Sequence, residues 1–155
     1  MYWTRYSAGS IYQARMDGYS PGVLVTGLTH PLGLTIDFAS RRLYWIEDTI
    51  HKMQSSNLSG RDIQPVVQLP DGSYPWGIAV LNGRIYWGNR GNYKVESATT
   101  DGQDLQTLYT EANEIHHLTI VPALDPPTSH RKNDCAGQNC STICVLTPTS
   151  YPCLA

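Results

Sequence analysis

The chain has 155 residues, enough for one domain of ordinary size, with 11 basic and 13 acidic side chains and a formal charge of −2. Charged residues make up only 15%, and there is neither the basic footprint of a nucleic-acid binder nor a polybasic membrane-surface run. No stretch approaches the roughly 18 apolar residues a spanning helix needs, and Met1-Tyr2-Trp3-Thr4-Arg5 lacks the basic and apolar regions of a signal peptide.

From the first residues onward the sequence repeats itself. Tyr2-Trp3, Tyr44-Trp45 and Tyr86-Trp87 are 42 residues apart. Nine residues after each Tyr comes Ile11, Met53 or Val95, and sixteen after it comes Gly18, Gly60 or Gly102. The third run is Val23-Leu24-Val25, Pro65-Val66-Val67 and Thr107-Leu108-Tyr109. The fourth is Gly33-Leu34-Thr35-Ile36, Gly77-Ile78-Ala79-Val80 and His117-Leu118-Thr119-Ile120. Its second copy runs two residues late, and the short turn Leu81-Asn82-Gly83-Arg84 restores the register.

Each unit thus holds four runs rich in β-branched and aromatic residues. Asp17-Gly18, Ser59-Gly60, Asn82-Gly83 and Asp101-Gly102 separate them at turn positions. No 3.6-residue apolar stripe is present, so the fold class is all-β. Four strands per 42 residues predict one blade of a β-propeller per unit. Tyr and Trp, ten and four in number against one Phe, suit the wedge-shaped gaps between such blades.

The four cysteines, Cys135, Cys140, Cys144 and Cys153, all lie in the last 21 residues. A tail this short cannot bury a core and needs staples. Disulfides fit better than zinc, because no C-x₂-C pair is present and no His lies between them. Disulfides imply an oxidising compartment. Two glycosylation sequons are present, Asn57-Leu58-Ser59 and Asn139-Cys140-Ser141, and use of Asn57 is expected first.

Tyr2-Trp3-Thr4-Arg5, Tyr44-Trp45-Ile46-Glu47 and Tyr86-Trp87-Gly88-Asn89 resemble the YWTD repeat of low-density lipoprotein receptors and their relatives. Asn57-Leu58-Ser59-Gly60, His30-Pro31-Leu32-Gly33 and Tyr74-Pro75-Trp76-Gly77 also resemble that family's repeat. The tail from Asn133 to Cys153 resembles the EGF-like module that follows such a propeller. The resemblance implies half of a six-bladed YWTD propeller over residues 1–127, the last three of six repeats. It implies a linker and truncated EGF-like module over 128–155, with Cys135–Cys144 and Cys140–Cys153 as the disulfides. It also implies an internal piece of a larger ectodomain, or a gene truncated to begin at an internal Met. In the family the fourth motif residue is an Asp that ties blades together. Glu47 and Asn89 accept such bonds in altered geometry, and Arg5 accepts none.

Six-bladed propellers also host hydrolases with a metal in the central channel, and Glu47 and Asn89 sit at equivalent repeat positions as conceivable ligands. Blade-to-blade hydrogen bonding is the simpler role for them. No G-x-S-x-G, H-E-x-x-H, P-loop or G-x-G-x-x-G occurs. His116-His117 cannot chelate one metal together, since neighbours in a strand face opposite ways. No catalysis, cofactor or metal is expected. By its family counterparts the ligand-facing side carries Leu32, Trp76 and His116, then Tyr6, Asp48 and Arg90. An aromatic anchor rimmed by Arg suits a protein-binding hot spot. The resemblance therefore implies extracellular binding of protein ligands for endocytosis or signalling, as in a Wnt co-receptor. The remaining propeller blades of the parent chain would be its other partner, and the parent would be membrane-anchored outside this segment. The competing reading is an adhesion module of a secreted basement-membrane protein. Three blades alone are not expected to form a stable monomer, and two copies pairing into a six-bladed ring is the one closed alternative.

Overall fold

Runs of alternating Val, Ile, Tyr and Trp, cut by Gly, Asn and Asp at turn positions, favour antiparallel hairpins. The computed structural model describes residues 1–110, Ile115, Leu118, Ile120 and the backbone of 143–144 and 153–154. Three sheets occupy the first 110 residues. Blade 1 is β1 (Tyr2–Arg5), β2 (Ser10–Gln13) and β3 (Gly22–Val25). Blade 2 is β4 (Pro31–Asp37), β5 (Arg42–Glu47), β6 (Lys52–Asn57) and β7 (Gln64–Gln68). Blade 3 is β8 (Pro75–Leu81), β9 (Arg84–Asn89), β10 (Lys94–Thr99) and β11 (Gln106–Thr110). Every pairing is antiparallel between strands consecutive in sequence. The chain divides into two compact units, Met1–Val121 and Pro122–Ala155. In the second, β12 (Ile143–Cys144) pairs with β13 (Cys153–Leu154), placing the backbone of Cys144 opposite that of Cys153.

Blade and repeat are out of phase by one strand. The fourth run of each sequence unit, Gly33–Ile36 or Gly77–Val80, is the first strand of the following blade, where it pairs with the next Tyr-Trp strand. The two-residue lag of the second unit has a local cause. The β4–β5 loop spans four residues, 38–41, whereas β8 and β9 are joined by Asn82-Gly83 alone. Both of these have positive φ, 50° and 75°, as a type I′ hairpin turn requires.

The core lies between blades. Side chains alternate along a strand, and β5 is buried on both faces. Leu43 and Trp45 point to blade 1, joining Ile11 and Val25, with Tyr2, Leu24 and Leu58 packed around them. Tyr44 and Ile46 point to blade 3, joining Met53, Val67 and Leu69 on their own blade and Ile78, Ile85, Trp87 and Ala98 on the next. Each fully buried Ile, Leu or Met contributes about 1.5–3 kcal/mol relative to exposure.

Close approach between blades fixes the glycines. At Gly60, φ is +71°, and a Cβ would lie 2.5 Å from the Leu24 carbonyl oxygen of blade 1. At Gly102, 42 residues on, φ is +83° and a Cβ would lie 1.7 Å from the Val66 carbonyl oxygen of blade 2. Outside the core, a second repeated device ties down the outer turns. Arg42 bridges Asp62 at 2.7 Å and donates to Ser55, while Arg84 bridges Asp104 at 2.6 Å and donates to Ser97.

Gly102→Ala is therefore expected to destabilise the chain by about 2 kcal/mol more than Gly72→Ala. Gly72 also has positive φ but open space around it. Urea denaturation of the two variants measures the difference. Hydrogen bonds from Arg42 and Gln64 hold the Asp62 carboxyl below its ordinary range, and those from Gln106 and Arg84 do the same for Asp104. A depressed folded-state value gives stability that is complete above the unfolded value of about 3.9 and lost as pH falls through the folded one. Thermal scans are expected to show a fall below about pH 4 that Arg42→Gln with Arg84→Gln makes shallower.

Candidate ligand-binding face

The rim of the blades is set by a bulge and a pin. In β4 the partner of Glu47 is Pro31 and that of Trp45 is Leu34, so Leu32-Gly33 holds one extra residue. In β8 the same shift occurs at Trp76-Gly77. Bulges re-aim side chains at barrel and sheet rims. The glycine of the first bulge is needed for packing: a Cβ on Gly33 would meet the Trp76 carbonyl oxygen at 2.5 Å. Leu32 is half-buried and packs against the core between blades 2 and 3. Trp76, its counterpart one blade on, is 43% exposed.

The pin is the fourth residue of the Tyr-Trp motif. Buried Glu47 accepts the Thr29 N–H at 2.6 Å, fixing the segment that enters β4. Buried Asn89 accepts the N–H of Tyr74, entering β8, at 3.1 Å and that of Gly91 at 3.1 Å. Arg5 instead donates to the Tyr12 hydroxyl at 3.2 Å and lies over its ring. The partner of the pin sits across the hairpin and exchanges chemistry with it. Gln54 donates to Glu47 in blade 2, whereas in blade 3 Asn89 donates to Glu96 at 3.0 Å. Glu96 also accepts the Trp87 indole N–H at 3.1 Å. The Trp45 indole nitrogen, at the matching place, is buried without a hydrogen-bond partner.

Past the pins the chain reaches the surface. The N–H groups of Asp48 and Arg90 bond back to the carbonyls of His30 and Tyr74, at 3.2 and 3.0 Å. Asp48, Trp76 and Arg90 line one open hollow of about 400 Å³ with Tyr74, Gly91 and Tyr93. The Arg90 guanidinium lies 5.0 Å from the Trp76 ring centroid, in cation–π contact. Tyr6 is 43% exposed and reaches Asp48 from blade 1, its hydroxyl donating at 3.4 Å. Desolvation, and then the Asp48 charge and hydrogen bond, raise the Tyr6 phenol above its ordinary value. His30 stacks on Tyr6 at 4.4 Å and shares a 2.6 Å hydrogen bond with Thr49.

Of the residues expected on this face, Asp48, Trp76 and Arg90 come together, Tyr6 joins them through Asp48, and Leu32 does not line the hollow. His116, Cys135, Asn139 and Cys140 lie outside the described residues, and only the backbone of Cys144 and Cys153 is described. Asn57 is half-buried, its side-chain oxygen accepting the N–H groups of Ser59 and Arg61 at 3.0 Å each. Sequence reasoning did not pick out Tyr74 and Tyr93. Repeat position was the available signal: Tyr74 matches His30, and Tyr93 matches Gly9 and His51, all three with positive φ. Among the described residues, no three His, Cys, Asp or Glu side chains are grouped to hold a metal ion.

No protein-family profile matches the chain. Among the curated proteins that it resembles are the low-density lipoprotein receptor-related protein 5 of mouse and of human. Each is 30% identical over 148 residues, covering 92% of this chain and 9% of the relative. The three blades belong to the YWTD propellers of the low-density lipoprotein receptor-related family. Among solved structures, a chain of a nidogen/laminin complex superposes with a TM-score of 0.66 at 22% identity, covering 74% of this chain and 45% of that one. A gluconolactonase from Xanthomonas campestris gives 0.60 at 23% identity, covering 71% and 37%. A streptogramin B lyase gives 0.60 at 22% identity, covering 75% and 39%. These likenesses show the propeller fold alone. The YWTD blades described above are half of a six-bladed ring.

The exchanged pins of this YWTD segment give a direct test. Gln54→Glu sets two carboxylates face to face on a largely buried site and is expected to cost about 2–3 kcal/mol. Adding Glu47→Asn recreates the arrangement of Asn89 with Glu96 and gives the Trp45 indole an acceptor. A double-mutant cycle by chemical denaturation should show the second change recovering most of the loss.

Proposed function

We propose that these blades form a protein-binding face of an extracellular receptor of the low-density lipoprotein receptor-related kind, with no catalytic role. The chain spans only 9% of the curated relatives it matches, so the reading concerns this face and not the whole of those proteins. The observation that carries it is the meeting of Trp76, Arg90 and Asp48 in one hollow. These are three of the positions that the family resemblance puts toward ligand. Trp and Arg are the residue types most enriched at binding hot spots, and a half-exposed indole held by a guanidinium is pre-ordered, so little rotamer freedom is lost on binding. Tyr6 and His30 extend the same surface onto blade 1. Ligand uptake or signalling by the parent, its membrane anchoring, a disulfide-stapled module over 128–155 and glycan addition at Asn57 and Asn139 complete this reading. Three further blades complete the ring.

Peptides selected from a random displayed library against the chain provide the probe. Trp76→Ala is expected to weaken them tenfold or more, about 1.4 kcal/mol, with Arg90→Ala acting in the same direction. Phe38→Ala, 83% exposed on the β4–β5 loop, should leave binding unchanged. Peptides that bind the Trp76 variant as well as the parent chain would defeat the proposal.

A further inference from the structure

Asn82-Gly83 is the one Asn-Gly pair of the sequence, and it forms the whole connection between β8 and β9. Both residues are exposed, and no hydrogen bond holds the Asn82 side chain or the Gly83 N–H. The other asparagines among the described residues are held. The Asn57 side-chain oxygen accepts two backbone N–H groups, and buried Asn89 is bonded through both atoms of its amide. Asn92 donates to Glu96 at 3.5 Å. These three are followed by Leu58, Arg90 and Tyr93, whose side chains crowd the next backbone nitrogen. After Asn82 there is no side chain, and nothing lies within 4 Å of where a Gly83 Cβ would stand.

The turn also supplies the geometry for closing a ring on that nitrogen. Joining the Asn82 side-chain carbonyl carbon to the Gly83 nitrogen makes a five-membered imide, in which Cβ is eclipsed with that nitrogen. For an L residue this is a ψ of about −120°, the value at the first central position of a type II′ turn. The observed φ values, 50° and 75°, are those of type I′. The two types differ by rotation of the single peptide between Asn82 and Gly83, and glycine allows the change of sign in its φ. Both types close a two-residue hairpin, so Leu81 stays opposite Arg84. The Gly83 carbonyl, which accepts the Thr100 N–H at 2.9 Å, takes no part in the rotation.

We propose that this turn is a site of spontaneous deamidation in the folded protein. The Gly83 nitrogen gives up its proton and attacks the Asn82 side-chain carbonyl carbon, and ammonia leaves. Water then opens the imide, at the side-chain carbonyl to give Asp or at the main-chain carbonyl to give isoaspartate. The net change is amide and water to carboxylate and ammonium. The two products differ in consequence. Asp-Gly suits a type I′ turn as Asn-Gly does. Isoaspartate routes the main chain through Cβ and adds one backbone atom to the turn. The strands cannot slip to absorb it, because Ile78, Ile85 and Trp87 are buried between blades 2 and 3 and a one-residue shift turns every side chain to the opposite face. The turn itself takes up the added atom, which strains the Thr100 bond and weakens blade 3. The inference does not depend on the ligand reading above.

Peptide mapping of the folded chain after incubation at mildly alkaline pH, with fragmentation that separates Asp from isoaspartate, tests it. The expected result is conversion of Asn82 to both products, with Asn57, Asn89 and Asn92 slower by about tenfold or more. Asn82→Gln, whose ring would need a sixth member, should show no conversion at this position and keep its urea midpoint through the incubation. The isoaspartate fraction, separated by ion exchange, should unfold at lower urea than Asn82→Asp. Asn82 unchanged in the folded chain, or changed only once the chain is unfolded in urea, overturns the proposal. So does an isoaspartate fraction as stable as Asn82→Asp, or a midpoint that drifts equally in Asn82→Gln.

Discussion

A sheet with apolar side chains on both faces cannot stand alone in water, and everything in this chain follows from how that burial is met. Blade 2 meets it completely. Leu43 and Trp45 are covered by blade 1, and Tyr44 and Ile46 by blade 3, with no more than 2% of any of them exposed. Area burial of this kind is non-directional and fixes neither the angle nor the height at which one blade sits on the next. Those are fixed by backbone contacts that tolerate no Cβ. Gly60 and Gly102 seat the outer turns on the preceding blade, and Gly33 lets the Trp76 carbonyl against the inner strand. The apolar faces supply the energy of stacking, and three glycines supply its geometry.

The same division of labour holds at the rim. Glu47 and Asn89 are the fourth residues of the Tyr-Trp motif and the buried last residues of strands that are mostly apolar and mostly buried. Burying a polar group costs free energy unless it is hydrogen-bonded, so each is satisfied twice: by a backbone N–H of the segment entering the blade, and by a side chain across the hairpin. One partner of each pair is an amide and the other a carboxylate, in opposite order in the two blades. Either order gives one donor and one charged acceptor, which is all the local hydrogen bonding requires. Glu is one methylene longer than Asn, and the bonded N–H differs accordingly. It belongs to the second residue before Pro31 in blade 2 and to the residue just before Pro75 in blade 3.

Much of this was legible in the sequence because a propeller writes its geometry at a fixed period. Strand content, turn glycines and one blade per unit follow from marks 42 residues apart, while the half-ring rests on the family resemblance, which implies six repeats where three are present. The one-strand offset between repeat and blade was not legible, because periodicity carries no phase. Hydrogen-bond pairing alone shows that Gly77–Val80 belongs with Tyr86-Trp87 and not with Tyr44-Trp45. At the rim, equivalent positions share a location, which is why Asp48, Trp76 and Arg90 could be found together. Position did not decide side-chain direction: Leu32 packs on the core, while the larger Trp76 stands half-exposed under Arg90. The amide–carboxylate exchange was hidden because its members are seven residues apart and meet diagonally across the β5–β6 and β9–β10 hairpins.

Scaffold and face are therefore built from different atoms. The loop segments behind the hollow are held by main-chain bonds, from Asp48 to His30 and from Arg90 to Tyr74, and by the buried pins beneath them. Asp48, Tyr74, Trp76, Arg90 and Tyr93 contribute no side chain to either core cluster. The buried apolar area of stacking lies in Trp45, Trp87 and their neighbours, and of the hollow's side chains Tyr74 also meets His51 of blade 2 edge-on at 5.9 Å. A fold arranged this way holds the rim backbone constant while its side chains vary. The likeness of one such fold to a laminin-complex chain, a lactonase and a lyase is what that separation predicts. Function in this chain is consequently to be sought in the few rim side chains that the core does not need.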